Sequence, residues 1–125
     1  MMEIDIKEYI NNNEDLINLI GKNKLYPLFT TEINDISIVY NFKHLTGGYI
    51  KQSQLELKII TSDYDFGKVT EKYLLKIMDN KEDKPYIAYE KTYFKSNLAG
   101  GGCLFRDDLQ MFENTLIFII KWKEI

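Results

Sequence analysis

The clearest pattern in this chain is an alternation of apolar and polar residues that changes, within a few positions, into a helical period. From Leu55 to Ile59, apolar and polar side chains alternate, which is typical of a strand with one buried face. From Phe66 to Ile77, apolar residues recur at three- and four-residue steps, which is typical of an amphipathic helix. The range Gln54–Asp79 therefore predicts a strand that passes directly into a helix and forms the scaffold of the chain.

The N-terminal segment predicts a helix, a kink and a further short helical turn. Asp5 followed by Glu8 resembles a capping box, and apolar residues around this pair form one stripe. The run Asn11–Asn13 should interrupt the helix, because asparagine side chains compete for backbone hydrogen bonds. Asn12 or Asn13 can cap a second short helix. Gly21 is a suitable residue to end the second piece.

An irregular connector over residues 22–35 and one strand are predicted before the central unit. Pro27 lacks a backbone N–H, so any strand at this point should lie at a sheet edge. The alternation resumes in Ile36–Phe42, and the pair Gly47–Gly48 favours a hairpin that returns the chain to the strand at Leu55. The polar stretch 80–84 predicts a loop after the central helix.

The C-terminal third predicts two strands joined by a loop. Tyr86–Lys95 carries aromatic residues on both faces, and Thr115–Lys123 is apolar on both faces, as in a central strand or one covered by a partner. Between them, Asn97–Asp108 contains three consecutive glycines and predicts a flexible excursion. Together these patterns predict one α+β domain over residues 1–125. Its N-terminal helical segment and one central helix should pack on a mostly antiparallel sheet of about four strands.

Composition excludes several classes of protein. The net charge is −3, from 16 basic and 19 acidic residues that are intermixed, so a basic stripe that grips nucleic acid is not expected. The N-terminus lacks the pattern of a secretory leader, and the longest apolar run, Leu116–Ile120, is far too short to span a membrane. A single cysteine allows no internal disulfide, and a reducing intracellular site of synthesis is the default expectation.

The candidate chemistry is sparse. His44 and Cys103 could form a nucleophilic pair only if the fold brought them together, and neither lies in an orienting motif. Asp63 and Asp65 are better explained as helix caps than as metal ligands or acid–base groups. The glycines of Ala99–Gly102 do not match a phosphate-binding loop. We therefore expect no enzyme activity, no cofactor and no metal.

Contact residues are expected in and beside the glycine-rich segment, because a long loop without internal structure is often functional. Arg106, the only arginine, is followed by Asp107 and Asp108, so an ion pair within the loop or between subunits is expected, with a solvated surface as the alternative. On residue chemistry alone, the predicted partner-binding residues are Phe94, Leu104, Phe105, Arg106 and Asp107.

The order of these segments resembles the tail-completion proteins of long-tailed bacteriophages, also called tail terminator or tail-to-head joining proteins. Ile6–Pro27 is similar to the N-terminal helix and short following segment of that family, and Ile36–Phe42 to its first strand. Leu55–Met78 is similar to its central strand, polar turn and helix, and Thr115–Lys123 to its terminal strand. The resemblance covers nearly the whole chain and consists of hydrophobic patterns and segment lengths.

This resemblance implies a structural role. Such proteins form closed rings, usually hexamers, that cap the tail tube, end its polymerisation and present a surface to the head–tail connector or stopper protein. DNA would pass through the ring without specific binding. The expected location is the tail or neck of a virion assembled in a bacterial cytoplasm. The alternatives are another neck or head-completion module, or a ferredoxin-like ligand-binding module with a pocket between helix and sheet.

Overall fold

The computed structural model describes residues 1–27, 36–80 and 85–125, and within them the chain forms helices on one face of a curled sheet. The helices are α1 (Met2–Asn11), α2 (Glu14–Ile20) and α3 (Tyr64–Met78). The strands are β1 (Leu25–Pro27), β2 (Ile36–Thr46), β3 (Lys51–Thr61), β4 (Ile87–Tyr89), β5 (Thr92–Arg106) and β6 (Met111–Glu124). The predicted loop at 80–84 falls almost wholly outside the described residues.

The N-terminal helices confirm the predicted helix, kink and turn. The Asn13 side chain accepts a hydrogen bond from the Leu16 N–H at 3.1 Å and so caps α2, which ends at Gly21 with φ +95°. The capping box at Asp5 was wrong, because α1 already begins at Met2. Asp5 instead lies buried in the first turn and accepts a hydrogen bond of 2.7 Å from the hydroxyl of Thr92 at the start of β5.

The predicted strand–helix unit is confirmed. In β3, Leu55, Leu57 and Ile59 are fully buried, and the intervening residues are partly exposed on the other face. The chain turns at Ser62, and the Asp63 carboxylate accepts the Phe66 N–H at 3.2 Å, which caps the first turn of α3. This satisfies a backbone donor that has no partner within the helix.

Within the described residues the sheet has six strands, not about four, in the order β1-β2-β3-β6-β5-β4. β1 runs parallel to β2, and every other neighbouring pair is antiparallel. The additional strands are short. β1 covers three residues at one edge, as Pro27 favours, and the predicted strand Tyr86–Lys95 divides into β4 and β5 at a tight turn where Glu90 has φ +51°.

The core lies between the helices and one face of the sheet. Its sheet residues come mainly from alternate positions of the central strands, and its helix residues from all three helices: Ile38, Leu55, Leu57, Ile59, Leu116, Phe118, Ile120, Met2, Ile6, Ile10, Leu16, Leu74 and Met78. Consecutive strands are joined by hairpins except at β1–β2 and at the α3 crossover. This order does not follow the βαββαβ pattern of the ferredoxin-like alternative.

The glycine-rich segment is part of a strand, so the predicted flexible excursion at Asn97–Asp108 was wrong up to Arg106. β5 pairs with β6 along its whole length, with one bulge where Ala99 is an extra residue between Leu98 and Gly100. Glycine is required at Gly101, because a Cβ there would overlap the carbonyl oxygen of Thr115 on β6. Gly101 therefore permits close strand approach, and the three glycines lie within a strand and not in a loop.

Candidate assembly surface

The end of the β5–β6 hairpin carries exposed apolar side chains from both faces of the sheet. Leu104 is 51% exposed on the helix-free face, and Phe105 is 44% exposed on the helix side. The Phe105 ring contacts Phe112 edge to face, with centroids 5.0 Å apart, and Phe112 contacts Tyr64 at the start of α3 in the same way. A rigid scaffold thus presents large apolar groups to solvent, which is typical of a contact surface.

A charge cluster fixes the shape of this hairpin end. The Arg106 guanidinium donates to both carboxylate oxygens of Asp108, at 3.1 and 2.9 Å, and to Glu113 at 3.0 Å. Lys58 lies 3.5 Å from the other oxygen of Glu113. The hydrogen bond from Arg106 lowers the pKa of Asp108 below its ordinary value. The intra-loop ion pair expected for Arg106 is therefore present, and its planar fork holds the turn in one conformation.

The predicted contact residues do not all reach the surface. Leu104, Phe105, Arg106 and Asp107 lie together at the hairpin end, and the Asp107 carbonyl accepts a hydrogen bond from Gln110 at 2.8 Å within the turn. Phe94 is different. Its side chain is fully buried and packs edge to face against Tyr9 of α1, so it belongs to the core and is withdrawn from the contact set.

The outer edge of β5 is covered over only half its length. β4 pairs with Thr92–Phe94, after which Asn80 bonds both backbone groups of Ser96 and the Asp79 carboxylate accepts the Leu98 N–H. No other strand of the described chain lies beside β5 beyond that point. Because the bulge at Ala99 shifts the alternation by one residue, the backbone groups of Gly101, Cys103 and Phe105 point outward and leave an open strand edge.

A second apolar surface lies at the opposite end of the sheet, and the sequence patterns did not identify it. The β2–β3 turn exposes Tyr49 (81%) and Ile50, and the Lys123 ammonium lies over the Tyr49 and Tyr93 rings at 5.3 and 5.7 Å. A cavity of about 420 Å³ is lined by Ile50, Pro85, Tyr86, Tyr93 and Lys123. The available signal was an aromatic and an aliphatic residue placed directly after the Gly47–Gly48 turn, where polar residues are usual.

The fold does not bring together His44 and Cys103, the residues of the alternative catalytic pair. Cys103 is level with Ile38 across the sheet, whereas His44 lies six residues farther along β2, and two strands separate β2 from β5. His44 instead faces the Ser53 hydroxyl at 3.5 Å. Within residues 1–27, 36–80 and 85–125, no cluster of His, Cys, Asp and Glu could hold a metal ion. In the same ranges, no helix is long and apolar enough to cross a bilayer.

Comparison with known proteins finds a likeness of fold to a solved structure. No family model matches this chain, and neither does any curated protein. A chain of the solved structure titled "Virion of native gene transfer agent (GTA) particle" is similar, with a TM-score of 0.68 and 9% sequence identity. The alignment covers 97% of this chain and 93% of that chain. The likeness is one of fold.

Proposed function

We propose that this protein is a structural component of a phage or phage-like virion and acts as a tail terminator. It forms a ring, a hexamer in the family it resembles, that caps the tail tube, ends its polymerisation and joins it to a head connector or stopper protein. DNA passes through the ring without specific binding, and the chain performs no enzymatic reaction.

The likeness to a chain of the gene transfer agent virion is the observation that carries this proposal. It extends over 97% of the chain, so it includes the peripheral helices and short edge strands as well as the central sheet. Structural similarity at 9% identity conveys fold and not role. The segment order of the sequence, which resembles tail-completion proteins, supplies the independent argument for this position in the virion.

The distribution of exposed side chains supports assembly. A closed ring needs two different surfaces on each subunit, because each copy contacts its two neighbours through opposite faces. The hairpin end with Leu104 and Phe105 provides one exposed surface, and the opposite end of the sheet, with Tyr49 and Ile50 in the β2–β3 turn, provides another. An acidic net charge of −3 suits a channel wall that DNA must leave freely.

Deletion of the gene in the producing strain tests the proposal directly. Electron microscopy of the particles should show headless tails of irregular and excessive length, because nothing ends tube growth. Complementation with the wild-type gene should restore tails of one length joined to heads. Tails of normal length that lack heads would instead place the protein in the neck or head-completion step, and normal particles would exclude a virion role.

A further inference from the structure

Among the described strands, β2 and β5 are each covered by a short edge strand over one half of their length and open over the other half. On β5, the half near Thr92 is covered by β4, and no strand of the described ranges lies on the outer side of residues 101–105, so this half is called open. On β2, the half up to Tyr40 is covered by β1, and no described strand lies beside Phe42 and His44. The open half of each edge is at the opposite end of the sheet from the other. The open half of β5 in one copy can therefore lie beside the open half of β2 in a second copy.

The directions of the two open segments, and the faces on which their side chains lie, also suit antiparallel pairing between two copies. β2 and β5 run antiparallel across the sheet, since β3 and β6 separate them with one reversal at each step. On β2, the Ile38 N–H donates outward to Lys24, so the even-numbered residues Phe42 and His44 direct their backbone groups outward too. Their side chains lie on the helix side of the sheet, as do those of Cys103 and Phe105.

We propose that the open β5 edge of one copy pairs, antiparallel and in register, with the open β2 edge of a second copy, so that Cys103 lies opposite His44 and Phe105 opposite Phe42. This pairing is the contact that would join the subunits of the proposed ring. It rests on the proposed function only for the closure of that ring. Strand pairing of this kind satisfies main-chain groups on both edges, and it keeps the helices of both copies on the same side.

The receiving edge is shaped to take an aromatic side chain. A cavity of about 390 Å³ lies between α1 and the β2 edge. Its apolar lining comes from Ile4, Pro27, Tyr40 and Phe42, and its polar lining from Glu3, Lys7, Glu8 and Asn41. In the proposed register, the Phe105 ring of the neighbouring copy is directed toward this cavity. Burial of the exposed part of that ring would supply apolar contact energy, and an aromatic pair with Phe42 would add to it.

A single introduced cysteine tests the register, because the native chain has only Cys103. Directly opposed residues in a hydrogen-bonded antiparallel pair lie about 5.5 Å apart at Cα. Disulfides span about 4.4–6.8 Å between Cα atoms. Mild oxidation of His44→Cys at concentrations where mass measurement shows oligomers should give a ladder of disulfide-linked species on a non-reducing gel. The ladder should vanish in His44→Cys/Cys103→Ser.

Lys43→Cys is the matched control, because a shift of one residue places its side chain on the opposite face of the sheet. It should give at most a small fraction of the cross-linked product. A cross-linked dimer of the unaltered chain would mean that two β5 edges pair with each other, and it would overturn the proposal. Equal ladders from both cysteine variants, or a strict monomer at about 1 mM chain, would overturn it as well.

Association should also depend on the aromatic side chain. Phe105→Ser should weaken self-association at least about tenfold in analytical ultracentrifugation, because it removes a group buried at the centre of the contact. Leu109→Ser, in the neighbouring turn but off the strand edge, should change it little. These measurements use the isolated protein, so their failure would leave the tail-length phenotype of the deletion strain unaffected, and the two proposals can fail separately.

Discussion

β3 and β5 are both long strands that flank β6, yet they are held in place by different parts of the chain. β3 lies between two strands and inserts Leu55, Leu57 and Ile59 into the core, so its position is fixed by side-chain packing. The outer half of β5 has one neighbouring strand and no buried side chain beyond Ser96. Its position is fixed by backbone pairing and by glycine. A strand held in this way leaves its side chains free for contacts with other molecules.

The largest expected effect is a difference in stability between alanine substitutions at a buried leucine of β3 and at an exposed leucine of β5. Leu57→Ala removes a fully buried side chain from β3 and should lower the free energy of unfolding by about 2–5 kcal/mol, through lost burial and the cavity it leaves. Leu104→Ala, in the exposed half of β5, should change it by less than about 0.5 kcal/mol.

Urea denaturation of both variants, at a protein concentration where the chain is monomeric, provides the measurement. The wild-type m-value should be retained in each variant, so that a shift of the midpoint reports stability alone. Similar losses for the two leucines would show that the outer half of β5 is packed as tightly as the core, contrary to the contrast drawn here.

A second, smaller effect separates two neighbouring glycines of β5. Gly101→Ala should destabilise the fold by about 1–3 kcal/mol, because the added Cβ overlaps the Thr115 carbonyl oxygen and the strands must move apart. Gly102→Ala has open space around the new Cβ and should be close to neutral. Thermal unfolding followed by circular dichroism distinguishes the two, and equal effects would mean that the glycines serve flexibility and not close approach.

The smallest effect concerns the charge cluster at the end of β5. Arg106 lowers the pKa of Asp108, so Arg106→Gln should raise it toward the ordinary value of about 3.9. A lowered folded-state pKa means that the pair's contribution to stability is present above the unfolded pKa and is lost as pH falls through the folded value. An NMR titration of the Asp108 carboxyl carbon measures this.

Lys123→Gln, which removes a cation at the other end of the sheet, is the control for that titration. It should leave the Asp108 pKa unchanged. An Asp108 pKa that does not respond to Arg106→Gln would indicate that the hydrogen-bonded fork of Arg106 is not maintained in solution.

The parts of the fold that sequence patterns predicted are those where side chains carry the structure. Neighbouring residues in the sequence were enough to predict three features: the Gln54–Asp79 unit, the Asn13 cap and the Gly47–Gly48 hairpin. The outer half of β5 could not be predicted in this way, because a strand held by main-chain pairing has no apolar alternation and its glycines suggest a loop. β4 is too short to show a period, and its turn at Glu90 lacks the usual glycine or asparagine.

The candidate surface was predicted in part for the same reason. Leu104, Phe105 and Arg106 are exposed at the hairpin end. Their exposure could be predicted, because an apolar pair next to a charge cluster is a local signal in the sequence. Phe94 carries the same kind of signal but lies in the core, since its environment is set by α1, which is distant in sequence. The open edges of β2 and β5 depend on which strands are neighbours, and that information is not local.

The bulge at Ala99 determines which face of the sheet each later residue of β5 occupies. The side chains of Cys103, Leu104 and Phe105 are exposed and could be exchanged with little cost to the fold, whereas Gly101 could not. Regular pairing of Ala99 opposite Ile117, without the bulge, would exchange the two faces of the outer half of β5. It would turn Phe105 away from the helix side and withdraw the backbone groups of Cys103 from the outer edge.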